Sequence, residues 1–261
     1  MAKAYTIISG KGGVGKTTSA VNLGISLNHL GEDVVIVDAN LTTPNIGIHL
    51  GAPIVPTTLN HVLNEEAKLE DAIYEHESGT KIIPASLSLK ETEKIKYNSL
   101  VDIIKKLKKI TNYIIIDSPA GLGDEARAAI KAADEIIIVT NPEISAVTDA
   151  LKTIKLSEEL NKPIKGVIIT RYSGKKVDMS ISNIQEMLEA PLLGIISEED
   201  SIKESHLMKN SVIYTHPKSD AARDYLDTSR RILGEKIKIN PIRKKGFFFT
   251  IRKTFRSRFL G

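Results

Sequence analysis

Residues 10–17 read GKGGVGKT, and this stretch decides the fold. It satisfies the spacing G-x-x-x-x-G-K-[ST]. The apolar run AYTIIS (4–9) precedes it, and the helical pattern TTSAVNLGISLNHL (17–30) follows it. A strand, a glycine turn and a helix in that order build a cradle for phosphate. Gly10, Gly12, Gly13 and Gly15 let the backbone turn. The N–H groups of the loop, those of Lys11, Val14 and Thr18 included, then face an anion at a helix N-terminus. Lys16 is placed to reach the β and γ oxygens of a nucleotide, and the Thr17 hydroxyl to ligate Mg²⁺. A chance match in an ordinary turn is the competing reading, and the strand–loop–helix setting argues against it.

Working outward, six more short runs read as strands: DVVIVD (33–38), TKIIPA (80–85), NYIIIDS (112–118), EIIIVT (135–140), IKGVIIT (164–170) and PLLGII (191–196). They are near-continuous Ile/Val runs, as in strands buried on both faces. Helical patterns separate most of them, including YNSLVDIIKKLKKI (97–110), EISAVTDALKTIKLSEEL (143–160) and SDAARDYLDTSRRILGEKI (219–237). The alternation predicts an α/β fold, a mostly parallel sheet flanked by helices. Asp117 ends a buried run, either as a cap or as the carboxylate that a phosphate-bound metal requires; the preceding phosphate loop favours the second. SPAGLG (118–123) follows, and Gly121 lets that loop approach a terminal phosphate.

Composition excludes several classes. With no Cys, structural disulfides and thiolate metal sites are ruled out. Glycines follow the N-terminal MAKAYTIIS too soon for a secretory signal, and no apolar run approaches the roughly 18 residues of a spanning helix. The six histidines form no metal spacing along the chain, and KKLKK reads as a solvated helix face. The net charge of +4 conceals an asymmetry. From Pro241 onward there are seven basic residues and no acidic one, so residues 1–240 hold 29 basic and 32 acidic side chains. All five Phe lie in that basic tail, KKGFFFTIRKTFRSRFLG (244–261).

The loop carries an extra lysine, Lys11, just after its first glycine. With VDANLTTPNIG, IIIDSPAGL, VTNPEISAVTD and the final KKGF…RFLG, the chain resembles the deviant Walker A ATPases of the MinD/ParA family, the MinD branch more closely. The resemblance spans essentially the whole chain. It implies ATP and Mg²⁺ as cofactors and a homodimer with nucleotide sandwiched between protomers. In that dimer Lys11 reaches the partner's phosphates. It also implies that Asp38 joins Thr17 and Asp117 at the metal, and that Lys11, Lys16, Asp38, Asn40 and Asp117 form the catalytic set. One departure stands out. The family usually shows D-x-D after the second strand, where this chain has Asp38, Ala39 and Asn40. An amide can hydrogen-bond a water but cannot take its proton as a carboxylate can. Slow hydrolysis is the expectation. Arg171 and the segment Ser197, Glu198 and Glu199 either frame the adenine or are surface loop. Thr170 and Arg171 stand where relatives have Asn-Arg.

On a helical wheel, Phe247, Phe248, Ile251, Phe255 and Phe259 fall on one arc, with Arg252, Lys253 and Arg256 beyond it; the pattern is imperfect, since Arg258 projects within that arc and Phe249 and Leu260 lie among the basic residues. Phe with Lys/Arg on a short amphipathic helix suits an interfacial membrane anchor, and the MinD branch ends in such a helix. DNA binding of the ParA kind and packing on the chain's own domain are the alternatives. DNA needs the charge but not a Phe face. The expected organisation is an ATPase domain (1–238), a linker (239–246) and a membrane-targeting helix (247–261). The expected partners are a second copy, anionic lipids at the inner face of the cytoplasmic membrane, and an activating or cargo protein. The expected role is positioning of division or of another cell structure; the rivals are a DNA-partition ATPase and a non-hydrolysing ATP-binding scaffold.

Overall fold

The computed structural model describes residues 2–92 and 95–240. The expected membrane helix, with Phe247, Phe248, Ile251, Arg252, Lys253, Phe255, Arg256 and Phe259, lies outside them.

Eight strands form one sheet: β1 (Lys3–Ser9), β2 (Val34–Asp38), β3 (Tyr74–Glu75), β4 (Lys81–Ile83), β5 (Tyr113–Ala120), β6 (Glu135–Thr140), β7 (Ile164–Tyr172) and β8 (Leu192–Ser197). Their order is β3-β4-β2-β5-β1-β6-β7-β8. Every pairing is parallel except β3 with β4. The helices are α1 (Lys16–His29), α2 (Ile46–His49), α3 (Leu59–Leu63), α4 (Leu100–Leu107), α5 (Asp124–Ala132), α6 (Ile144–Glu159), α7 (Ile181–Leu188), α8 (Asp200–Leu207), α9 (Val212–Thr215) and α10 (Asp220–Ile232).

All seven runs with strand character are strands. The two-residue β3 is an addition, too short to carry an apolar pattern of its own. Both faces of the sheet are dry because alternate residues enter different cores. Ile114 and Ile116 of β5 join one apolar cluster, and Ile115 joins the other. Helices cover each side. In α4, Leu100, Ile103, Ile104 and Leu107 are buried at helical spacing, while Lys105 and Lys106 are exposed; KKLKK is thus solvated only in part, because Leu107 packs in the core and Lys108 is half-buried against Asp134. The described residues contain no Phe, and the largest fully buried side chains are Tyr5 and Tyr225.

This arrangement positions the site. β1, β2 and β5 are adjacent and parallel, so their C-terminal ends deliver the glycine loop, Asp38 and Asp117 to one edge. No helix among the described residues is long and apolar enough to cross a membrane.

Candidate nucleotide site

The glycine loop runs from the end of β1 into α1. Gly13 and Gly15 take φ of 76° and 93°, a left-handed backbone that an L side chain strains to adopt. Gly15 is the N-cap of α1, and no side chain caps that end. The N-terminal amides of α1 are therefore available to an anion. Gly10 answers a different need: a Cβ there would lie 2.4 Å from the Asp149 backbone oxygen of α6. Neighbouring elements hold the loop. The Thr170 hydroxyl of β7 donates to the Val14 carbonyl at 2.6 Å, and the Gly121 amide donates to the Ser9 carbonyl at 3.2 Å. Thr170 is thus part of the loop's support, a role its distance along the chain concealed.

Asp38 and Asp117 are register partners across β2 and β5, and both are fully buried. Burial pushes the Asp38 carboxyl well above its usual range and neighbouring Asp117 adds to the shift, while the amides of Ile46, Asn45 and Asn40 oppose it. Burial also raises Asp117. The neighbouring Thr17 hydroxyl and the charge of the Lys16 ammonium oppose that shift. Lys16 is itself buried, and desolvation lowers its pKa against the pull of Asp117. The two carboxylates differ in what they bind. Asp38 accepts three backbone N–H groups, at 3.2, 3.0 and 3.0 Å. Neither oxygen of Asp117 has a hydrogen-bond partner. A buried carboxylate without donors, beside a lysine and a threonine hydroxyl at an uncapped helix N-terminus, fits a divalent cation carrying a polyphosphate.

The Asn40 side chain is bound within its own segment. Its amide nitrogen donates to the Thr43 carbonyl, and its Oδ1 accepts from the Thr43 amide and hydroxyl at 3.3 and 3.0 Å. Lys11 points outward, with its ammonium 3.3 Å from Glu143 and 3.1 Å from the Ser145 hydroxyl.

A cavity of about 270 Å³ adjoins the loop. Gly15, Thr18, Thr170, Arg171 and the segment 197–199 line it, so the residues considered for adenine converge with the end of the phosphate loop. Arg171 has a φ of 52°, unusual for a non-glycine residue. The Ser197 amide and hydroxyl both donate to Asp224 of α10, which fixes the segment. His206 and Tyr225 also line the cavity, and neither was legible in the sequence. His206 packs against His49 with ring centroids 4.4 Å apart, so two histidines that look unrelated along the chain meet in space. Among the described residues no group of three or more His, Cys, Asp or Glu could hold a metal ion. A wider cleft of about 590 Å³, between Tyr97 and α5, contains none of the loop or carboxylate residues.

Sheet order and glycine loop together define a P-loop nucleotide-binding protein. Comparison with known proteins sharpens this. Residues 2–168 match a family model described as an AAA domain. The chain is 35% identical to an uncharacterised ATP-binding protein of Methanocaldococcus jannaschii, over 96% of this chain and 95% of that one. It is 34% identical to the septum site-determining protein MinD of Bacillus subtilis, over 98% of both chains. The MinD of Pyrococcus horikoshii, solved with Mg-ADP, superimposes with a TM-score of 0.86 at 35% identity, covering 91% of this chain and all of that one. This chain belongs to the MinD/ParA family of P-loop ATPases, as a MinD-like member.

Proposed function

We propose that this protein is an ATP-driven dimerisation switch with slow ATPase activity. In its ATP state it docks on the cytoplasmic face of the membrane and positions division or another cell structure. The observation that carries the nucleotide part is Asp117, a fully buried carboxylate with two unpartnered oxygens between Lys16 and Thr17. The loop amides from Gly10 to Thr18 cradle phosphate, Lys16 holds the β and γ oxygens, and Thr17, Asp38 and Asp117 hold Mg²⁺. Asp117 has the freer lone pairs of the two carboxylates. Bound Mg²⁺ would neutralise charge developing on the transferred phosphoryl group. Arg171 and the backbone at Glu198 frame the adenine, and Gly121 closes toward the terminal phosphate.

Two features support slow turnover and the dimer. Asn40 lacks a basic carboxylate, and Thr43 occupies its side chain. Lys11 is partly exposed and held only by Glu143 and Ser145, which suits a contact with a second copy.

The membrane part rests on the sequence of residues 247–261. Each basic side chain near an anionic surface contributes at most about 1 kcal/mol, and each buried Phe about 1.5–3 kcal/mol. Ordering some 15 residues costs about 1–2 kcal/mol each. One tail is near marginal, whereas two on a dimer gain by effective concentration.

Co-sedimentation with anionic liposomes, with ATP and with ADP, for the full chain and for one ending at Gly246, tests the switch. Binding that needs both ATP and the tail supports it. Equal binding with either nucleotide would make the tail a constitutive anchor. Absent binding with salt-sensitive DNA retention would replace the membrane reading with a DNA-partition one, and ATP binding without turnover under any condition would make the protein a scaffold.

A further inference from the structure

The segment from Asn40 to Ile46 leaves β2 without joining any helix or strand until α2. Its backbone donors have an unusual fate. The Asn40 amide donates to Asp38, as do those of Asn45 and Ile46. The Thr43 amide donates to Asn40. Pro44 has no N–H. The amides of Leu41 and Thr42 donate to one oxygen of Glu125, and the Thr42 hydroxyl donates to the other at 3.0 Å. Every N–H in the segment therefore ends on a side chain of Asp38, Asn40 or Glu125. Of these three acceptors, Glu125 alone is distant along the chain.

Glu125 lies in the first turn of α5. An acidic residue there is favoured by the helix dipole whatever else it does. Its carboxylate nevertheless reaches out to three donors, and Leu41 and Ala126 beside the contact are buried in the same apolar cluster. Just before α5 comes the loop after Asp117, whose Gly121 amide holds the Ser9 carbonyl at the foot of the glycine loop. Glu125 thus joins the two segments that leave β2 and β5 behind the paired carboxylates.

We infer that Glu125 is a positioning residue for ATP hydrolysis: its carboxylate holds the Asn40 segment in register with the segment after Asp117. The inference rests on the ATPase reading above. Glu125 acts through the Leu41 and Thr42 amides, so an uncharged acceptor of the same shape suffices. Glu125→Gln keeps an oxygen for both amides, and Glu125→Ala removes it.

The test uses the full chain and three readouts. Amide exchange over residues 41–43 of the nucleotide-free protein should accelerate at least about tenfold in Glu125→Ala and stay near wild type in Glu125→Gln. Affinity for a fluorescent ATP analogue should stay within about threefold in both. Turnover should fall about tenfold in Glu125→Ala, as a change in kcat with KM held, and recover in Glu125→Gln. Unchanged exchange in Glu125→Ala overturns the clamp. Loss of ATP affinity in step with kcat overturns the positioning role and indicates general damage to the site. Failure of Glu125→Gln to recover overturns it too, because the charge itself would then be required. A wild-type protein that binds ATP without turnover sinks the hydrolysis reading, and the positioning role for hydrolysis with it; exchange still decides the clamp.

Discussion

Asn40→Asp restores the carboxylate that the family usually carries, and the structure sets a cost on doing so. Asn40 is 8% exposed, and its side chain is joined to Thr43 by three hydrogen bonds, two accepted and one donated. An ionised carboxylate can still accept from the Thr43 amide and hydroxyl. It cannot donate to the Thr43 carbonyl, and it sets a negative oxygen against that carbonyl. A buried group left facing the wrong partner costs about 1–3 kcal/mol. At about 1.4 kcal/mol per pKa unit, this raises the introduced carboxyl by about one to two units in the folded state. The raised folded pKa fixes the sign. The penalty is full above that pKa and shrinks as pH falls toward the unfolded value near 4, where a proton restores a donor. Thermal melts of the nucleotide-free protein at pH 7.5 and 4.5 measure it. A loss of about 2 kcal/mol lowers Tm by about 4–8 °C at neutral pH for a chain of this size, with a smaller deficit at pH 4.5. Asn40→Ala loses the contacts at both pH values and serves as the control. An Asn40→Asp protein melting with wild type at pH 7.5 would refute the reasoning. Turnover should move the other way, rising in Asn40→Asp, and unchanged turnover under every partner condition would refute the proposal that Asn40 slows hydrolysis.

Asp117→Asn should stabilise the nucleotide-free protein at pH 7–8 by about 1–2 kcal/mol, because burial opposes the charge it removes; melts with and without Mg·ATP should also show the ligand's stabilisation lost. Burial and nearby His206 lower the pKa of His49 from 6.5 to about 4, so the unfolded chain binds more protons between those values. Stability from this group is full above pH 6.5 and is lost as pH falls toward 4, by up to about 3 kcal/mol; urea titrations at pH 7 and 5 on wild type and His49→Asn check it. Gly194→Ala places a Cβ 2.1 Å from the Thr228 hydroxyl where β8 meets α10, and overpacking there should cost about 1–3 kcal/mol in chemical denaturation.

The sequence made the phosphate loop legible because the backbone geometry there demands glycine, and Gly13 and Gly15 do take left-handed φ. Asp117 was legible as the polar end of an apolar run. The sheet was legible for the same reason: strands dry on both faces must be Ile/Val-rich. The cavity beside the phosphate loop was only half legible, since β7, the segment after β8, α8 and α10 each contribute to it. Arg171 and residues 197–199 were found by resemblance, whereas Tyr225 and His206 sit in helices whose patterns look like ordinary packing. Thr170 read as a departure from Asn and proves to hold the Val14 carbonyl. Glu125 read as nothing, because a carboxylate that binds backbone amides 83 and 84 residues away leaves no local mark.

The two lysines of one loop meet opposite fates, and the contrast bears on the dimer. Lys16 is buried beside Asp117 and pays a desolvation penalty that lowers its pKa. A protein keeps such a charge where a strong counter-charge will arrive, and a polyphosphate is one. Lys11 has 41% of its side chain exposed, and its Glu143 partner is 59% exposed. Exposed pairs of this kind contribute about 0–1 kcal/mol and weaken with salt. Leaving Glu143 therefore costs Lys11 little, while a charge-assisted hydrogen bond to phosphate contributes about 1.5–3 kcal/mol. Released from Glu143, Lys11 would be free to serve the nucleotide of a second copy, as the proposed dimer requires, while Lys16 and the uncapped α1 N-terminus stay at their own loop. That asymmetry, a committed lysine and a cheaply released one five residues apart, is the physical case for a nucleotide shared between two copies.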